Sequence, residues 1–273
     1  MSAAAILGLA LATSALGALG GIGGAIVLVP ALVLSGMPTA EAAPLGLLSV
    51  AAGSLAAAPM QLRERTVHHR LGVTTETAAS AGAVAGALLS GALGETLLTR
   101  CLAVAALIAA AAAGLRRDVE GEIIDRPPDV DLGEERGTLS GTYPVGDDTA
   151  TPYAASRLPA GLAVMSTAGL TAGLAGVSGG FIKTPATTEV MKVPVKVAAS
   201  TTTFTIGITA AAALVVLAVH GRIDLDHAGP VIAGSLVGGR IGARLQARFP
   251  AGVVRGALCV VLVVVAFVLF ARS

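Results

Sequence analysis

Charge is scarce in this chain of 273 residues. Asp, Glu, Lys and Arg make up only 13% of it, about half the share of an ordinary soluble domain. A mean hydropathy of +0.82 accompanies the deficit, which excludes a soluble globular protein and points to a polytopic membrane protein. The few charges nearly cancel, to +1. No basic cluster is present to neutralise a phosphate backbone, so no nucleic-acid partner is expected. Cysteine is nearly absent: Cys101 and Cys259 are the only two, which excludes a disulfide framework, and no metal-ligand spacing occurs. The four histidines, His68, His69, His220 and His227, fall in or beside polar turns. No Gly-x4-Gly-Lys-Ser/Thr stretch occurs, which argues against ATP as a driving force. No cofactor is expected. Aromatics are down to 3% with no Trp, so helix contacts rest on small residues that let backbones approach closely in lipid. The pairs Gly82/Gly86 and Gly238/Gly242 have that spacing.

What the chain has in quantity is long apolar runs. A spanning helix needs about 20 mostly apolar residues. Residues 2–20, 40–61, 72–94 and 97–115 qualify in the first half, and 22–36 form a shorter run. In the second half 158–175, 195–219, 226–246 and 252–271 qualify, and 179–192 are short and unusually polar. The first run begins at once, without a basic n-region or a clear cleavage site, and reads as a retained membrane segment. Between the halves, residues 116–157 carry ten Asp/Glu against five Lys/Arg, with four prolines. Such a stretch buries too little apolar surface to order alone and reads as a solvated linker. The expected organisation is a membrane repeat over 1–115, an acidic linker over 116–157 and a second membrane repeat over 158–273.

The halves are related. Gly21-Ile-Gly-Gly-Ala-Ile-Val-Leu-Val-Pro30 aligns with Gly176-Val-Ser-Gly-Gly-Phe-Ile-Lys-Thr-Pro185 at an offset of 155. After one insertion, Pro38, Ala42, Gly82 and Gly86 align with Pro194, Ala198, Gly238 and Gly242 at 156. The fold class is therefore an all-α polytopic membrane protein of two tandem repeats, with eight to ten transmembrane segments and a Gly-rich broken helix in each half. Five crossings per repeat would invert one half relative to the other, as in many secondary transporters. Arg63, Arg65, Arg70, Arg116, Arg117, Lys192, Lys196, Arg244 and Arg248 would then share one face, with little more than Arg100 and Arg222 opposite. The positive-inside rule makes the rich face cytoplasmic. Re-entrant short segments would give eight crossings and a different topology.

A helix broken in lipid survives only where it is buried in protein or lines a cavity. The helix resuming after the break offers free N–H groups and the positive end of its dipole. The backbone at Gly21, Gly23, Gly24, Gly179 and Gly180, with Ser178 in the second break, is thus a candidate anion site. Lys183 lies just beyond in an apolar run where the other half has Leu28. An ionisable residue inside a span is a functional candidate, here a counter-ion, with Thr184 beside it. Ser200, Thr201 and Thr202 head the next long span. Their hydroxyls suit an anion's oxygens equally as well as their own helix carbonyls.

Both Gly-rich breaks precede a proline six residues after a glycine, and Pro-x-x-x-Ala follows (Pro38 to Ala42, Pro194 to Ala198). With the Ser/Thr head at 200–203 and the Gly-Arg-Ile-Asp turn at 221–224, this ordered set resembles the TauE/SafE sulfite-exporter family across about 5–115 and 158–271. The sequence departs from the pattern at Ala25 and at Pro44-Leu45-Gly46. The resemblance implies a multi-pass transporter of the plasma membrane that moves sulfite or an organosulfonate outward, with the small anion and the lipid bilayer as partners and possible proton or sodium coupling; it is not an enzyme. Two alternatives remain. One is an intramembrane serine protease, with Ser178 in a Gly-x-Ser-Gly stretch and His227 as base. The other is an anion channel or structural membrane subunit. The oligomeric state is not legible.

Overall fold

The computed structural model describes residues 1–20, 23–63, 65–115, 124–125, 132–144, 149–246 and 251–272. Among these, the first half forms α1 (Ala3–Gly20), α2 (Ala25–Leu34), α3 (Thr39–Arg63), α4 (His69–Ser90) and α5 (Glu95–Leu115). The second half forms α6 (Leu158–Ala175), α7 (Gly180–Pro185), α8 (Val195–Val219), α9 (Leu225–Gln246) and α10 (Ala251–Arg272), with a π-helical turn over Ala186–Val190 extending α7. Four of them, Thr39–Arg63, Glu95–Gly114, Leu158–Ala175 and Val195–Val219, are long and apolar enough to cross a bilayer. Large apolar side chains such as Leu55, Val215, Val219 and Phe267 are exposed along the helices, a surface suited to lipid and not to water.

Helix pairing is the same when the halves are exchanged. α1 packs on α9 as α6 packs on α4; α3 packs on α9 as α8 packs on α4; α5 pairs with α10 and α3 with α8. Each half therefore finds its main partners in the other. The close pairs are held by glycines. A Cβ on Gly82 or Gly86 would strike the α6 backbone at Ser166 and Leu170. A Cβ on Gly169 or Gly173 would strike the α4 backbone at Ala79 and Ala83. Gly234, Gly238 and Gly242 of α9 lie in the same way on Leu7, Leu11 and Ala15 of α1. With backbones this near, dispersion contacts of the main chains replace the hydrophobic effect that lipid does not supply.

The central helices α3 and α8 run antiparallel. Thr66, just past α3, donates to Ser200 at 2.8 Å near the start of α8, and Ser54 in mid-α3 donates to the Thr203 carbonyl at 2.8 Å. The α1–α2 and α6–α7 pairs are hairpins. Ser35 after α2 reaches Met1 before α1, with 3.0 Å from Oγ to Sδ. The Ser156 amide before α6 donates to the Met191 carbonyl past the π turn, at 2.9 Å. Each short helix thus takes the chain back to the end of the bundle where its long partner began.

Between the halves, the described residues add a small sheet to the helical bundle. Strands β1 (Ile124–Asp125), β2 (Gly133–Glu134), β3 (Ser140–Pro144) and β4 (Thr149–Ala154) form an antiparallel sheet in the order β1-β4-β3-β2. It is ordered by docking on the helices. Leu139, Tyr143 and Tyr153 pack against Leu71, Met191, Val193 and Val197. Glu134 meets the imidazoles of His68 and His69 at 3.2 and 3.4 Å and accepts from the Arg70 amide. His68 is fully buried. Its Nδ1 also accepts from the Leu71 amide as the cap of α4, and its ring stacks edge-on to Tyr153. The residues that order this segment belong to other elements, beyond the reach of its own composition.

Two expectations follow. Gly86→Val should lower thermal stability in detergent by at least the 1–3 kcal/mol typical of overpacking, whereas Gly94→Ala, which meets nothing within 4 Å, should leave the melting temperature unchanged. Burial holds the His68 imidazole below its usual pKa of 6.5, against an opposing pull from Glu134. The undocked state then binds the proton more readily, so docking is fully present above about pH 6.5 and weakens as the pH falls. Limited proteolysis of the 116–157 segment should accelerate between pH 7.5 and 5.5 (values about the ordinary His pKa), and His68→Gln should flatten that dependence.

Candidate functional site

The two breaks meet. A Cβ on Gly23, which has φ +84°, would collide with the Ser178 side chain. Gly24 lies against Thr13 and Ser14 of α1, and Gly176, at φ +68°, against Ala43 of α3. Gly46 of α3 in turn lies on the Gly176 carbonyl. A side chain at any of these positions would push the broken segments apart. Gly21 lies outside the described residues.

Beside the first break is a cavity of about 100 Å³ between α1, α3, α8 and α9, room for several waters. Gly23, Gly24, Ser200 and Thr203 line it, together with hydroxyls outside the candidates taken from the sequence: Ser14, Ser49 and Ser54. No carboxylate is among the described lining residues. Gly24 caps α2 without a side-chain bond, and the first α2 amides that donate to it are those of Val27 and Leu28. Gln61 also lines the cavity, and its Oε1 is buried without a hydrogen-bond partner. Turned over, that amide presents two N–H donors. Several hydroxyls are already committed: Ser14 donates to the Ser235 carbonyl, and Ser49 accepts from the Ser235 hydroxyl.

The other expected residues lie elsewhere. The Gly180 amide donates to Ser178 Oγ at 3.3 Å, so the second break satisfies one of its own donors. Thr201 accepts from the His68 amide at 2.9 Å, which ties the head of α8 to the α3–α4 turn. Gly179, Gly180, Lys183, Thr184, Thr201 and Thr202 are not among the described residues lining the cavity. Thr184 is fully buried, and its hydroxyl has no partner.

Lys183 calls for a correction. Its ammonium does not face the cavity as a free counter-ion. It is 2% exposed and bonded to both carboxylate oxygens of Glu76 on α4, at 3.1 and 2.9 Å, and to the Thr209 hydroxyl of α8. Thr209 also donates to Glu76. A charge buried this deep needs its opposite within reach, and Glu76 supplies it. The repeat-related positions, which surround the first break, hold Leu28, Gly53 and Ile232. Gly53 lines the cavity. The second break thus has an ion pair beside it, joining the two halves, where the first is apolar and partly hollow.

The protease arrangement finds no support in the geometry. His227, in the first turn of α9, is bonded to the half-buried Asp224 just before that helix, and that hydrogen bond holds the Asp224 carboxyl below its usual pKa. The α9 segment beyond it, at Gly234, lies on Leu7, whereas the first break, which touches Ser178, lies on Ser14.

Removing one partner from the buried pair should cost about 3–5 kcal/mol. Lys183→Met alone should therefore lower the thermal stability of the purified protein sharply, and adding Glu76→Leu should restore most of the loss. Equal losses in the single and double variants would show that the two charges are not coupled.

No curated protein and no solved structure matches the chain significantly. A family model does: that of the sulfite exporter TauE/SafE, over residues 6–269. With nearly the whole length matched, and with two broken helices meeting inside a bundle of apolar helices, the chain belongs to the sulfite exporter TauE/SafE family of membrane proteins.

Proposed function

We propose that this protein is a secondary transporter of the plasma membrane that exports a small oxyanion, sulfite or an organosulfonate, and performs no catalysis. The observation that carries the reading is the cavity beside the first break: hydroxyls, an amide and the N-terminal end of α2, with no described carboxylate to repel an anion. Gly23, Gly24 and Ser200 contact the anion, together with Thr203 and Gln61. Such donors replace the hydration shell of an oxyanion, and the helix dipole adds a favourable field.

In this reading the second break plays a different part. Ser178, Gly179 and Gly180 form the wall on which the first break rests. Thr184 lies in the helix that follows, and Thr201 and Thr202 hold the head of α8. Lys183 and Glu76 pin α7 to α4 and α8 as a charged lock. The halves are inverted relative to each other, which agrees with the antiparallel run of α3 and α8, and rocking between them exposes the cavity to alternate sides. The end carrying Arg63, Arg65, Arg70, Lys192, Lys196 and the docked sheet faces the cytoplasm. Proton or sodium coupling supplies the driving force.

Sulfite efflux from proteoliposomes, with and without an imposed pH gradient, tests the function. Flux above that of empty liposomes is expected. Gln61→Leu should raise KM about tenfold, the loss of one hydrogen bond to a charged group, while leaving thermal stability unchanged. An unchanged KM would place the substrate away from this cavity.

A further inference from the structure

A second concave surface lies on the outside of the bundle. A groove of about 470 Å³ opens between the last turns of α3 and α9. Its walls are apolar, including Leu55, Pro59 and Leu236, and three arginines reach it: Arg63 from α3, Arg240 and Arg244 from α9. No described carboxylate lines it, and none of the three guanidinium groups forms an ion pair among the described residues. Arg240 and Arg244 stand four apart on one helix, a like-charge spacing that destabilises a helix on its own.

Depth makes the arrangement harder to explain as ordinary surface charge. A Cβ on Gly239 would stand 3.3 Å from the Gly53 Cα, so Arg240 begins level with the middle of α3, beside Leu55, which is 71% exposed. Nine residues of helix separate Ser54 from Arg63, so Arg240 starts roughly 14 Å short of the end of α3. An arginine at that depth on a lipid-facing surface is costly unless an anion meets it. The groove also shares two wall residues with the internal cavity, Met60 and Ala243.

We propose that Arg63, Arg240 and Arg244 form an oxyanion-binding site separate from the internal cavity, with Met60 and Ala243 as the partition between the two. Guanidinium groups match the paired oxygens of a sulfonate, sulfate or phosphate group. That chemistry is shared by a free anion and by the phosphate of an anionic lipid. Where the occupant is a free anion, the site is a waiting position in front of the cavity, an assignment that rests on the transport reading; anion binding itself does not.

Phenylglyoxal, which modifies free guanidinium groups, reads the site residue by residue through peptide mass spectrometry. In delipidated protein in neutral detergent, sulfate or methanesulfonate should slow modification of Arg240 and Arg244 by about tenfold at a concentration ten times Kd. Arg100 serves as the control outside the groove. Protection by these salts identifies a free oxyanion as occupant. Protection by phosphatidylglycerol, but by neither the salts nor phosphatidylcholine, identifies a lipid phosphate. Equal modification of Arg240 and Arg244 under all conditions overturns the site. None of these outcomes depends on flux, so a protein that binds here but moves neither sulfite nor an organosulfonate would refute the transport reading and leave the site standing.

Discussion

Inside a bilayer, a backbone amide that leaves its helix finds no water. Everything distinctive in this fold answers to that constraint. The chain leaves helical geometry twice among apolar helices, around Gly23 and around Gly176 to Gly179, and both breaks are walled in by protein. Ser14 and Ser178 cover the first; Ala43 and Gly46 cover the second. The covering is possible because glycine removes the Cβ wherever two backbones must touch. The cavity beside the first break is what remains where the packing is incomplete, and polar hydroxyls turn inward there because lipid gives them no alternative.

The two breaks share a plan and differ in the charge around them. The second break is pinned by Lys183 and Thr209 of its own half and Glu76 of the other, all buried and mutually bonded. The first has Leu28, Ile232 and Gly53 at the equivalent places. An ion pair in low dielectric tolerates little displacement, because both charges must keep their partners. The apolar counterpart has no such geometric demand. The surroundings of the two breaks are therefore distinguishable, and the cavity lies beside the apolar one.

Much of the architecture was legible because duplication writes it twice. The apolar runs, the paired glycine breaks and the small-residue packing positions can all be read from spacing. The principle that singled out Lys183, that an ionisable side chain within a span needs a reason, applies equally to Glu76 inside the 72–94 run. The two lie 107 residues apart in the chain, and no local pattern says that they touch. The cavity was hidden for a related reason: Ser14, Ser54 and Thr203 come from three different helices, and single hydroxyls in an Ala-rich helix look alike until packing selects some of them. The sheet in the 116–157 segment was illegible because its order is borrowed from His68, Leu71, Met191 and Val197.

The exchange of partners between halves has a consequence for how the molecule is made. α1 packs on α9, and α4 on α6, so the first half has no complete interior of its own. Synthesis proceeds from the N-terminus, and α1 emerges some 220 residues before the glycine face of α9 that covers it. During that interval the α1 surface at Leu7, Leu11 and Ala15 stays open to lipid, and the first break lacks its Ser178 neighbour. Contacts so distant in sequence form late and slowly. Assembly of this protein is thus a closing of two hairpins around each other after insertion, and the nascent first half must persist in the membrane as an unfinished, partly polar bundle until the second arrives.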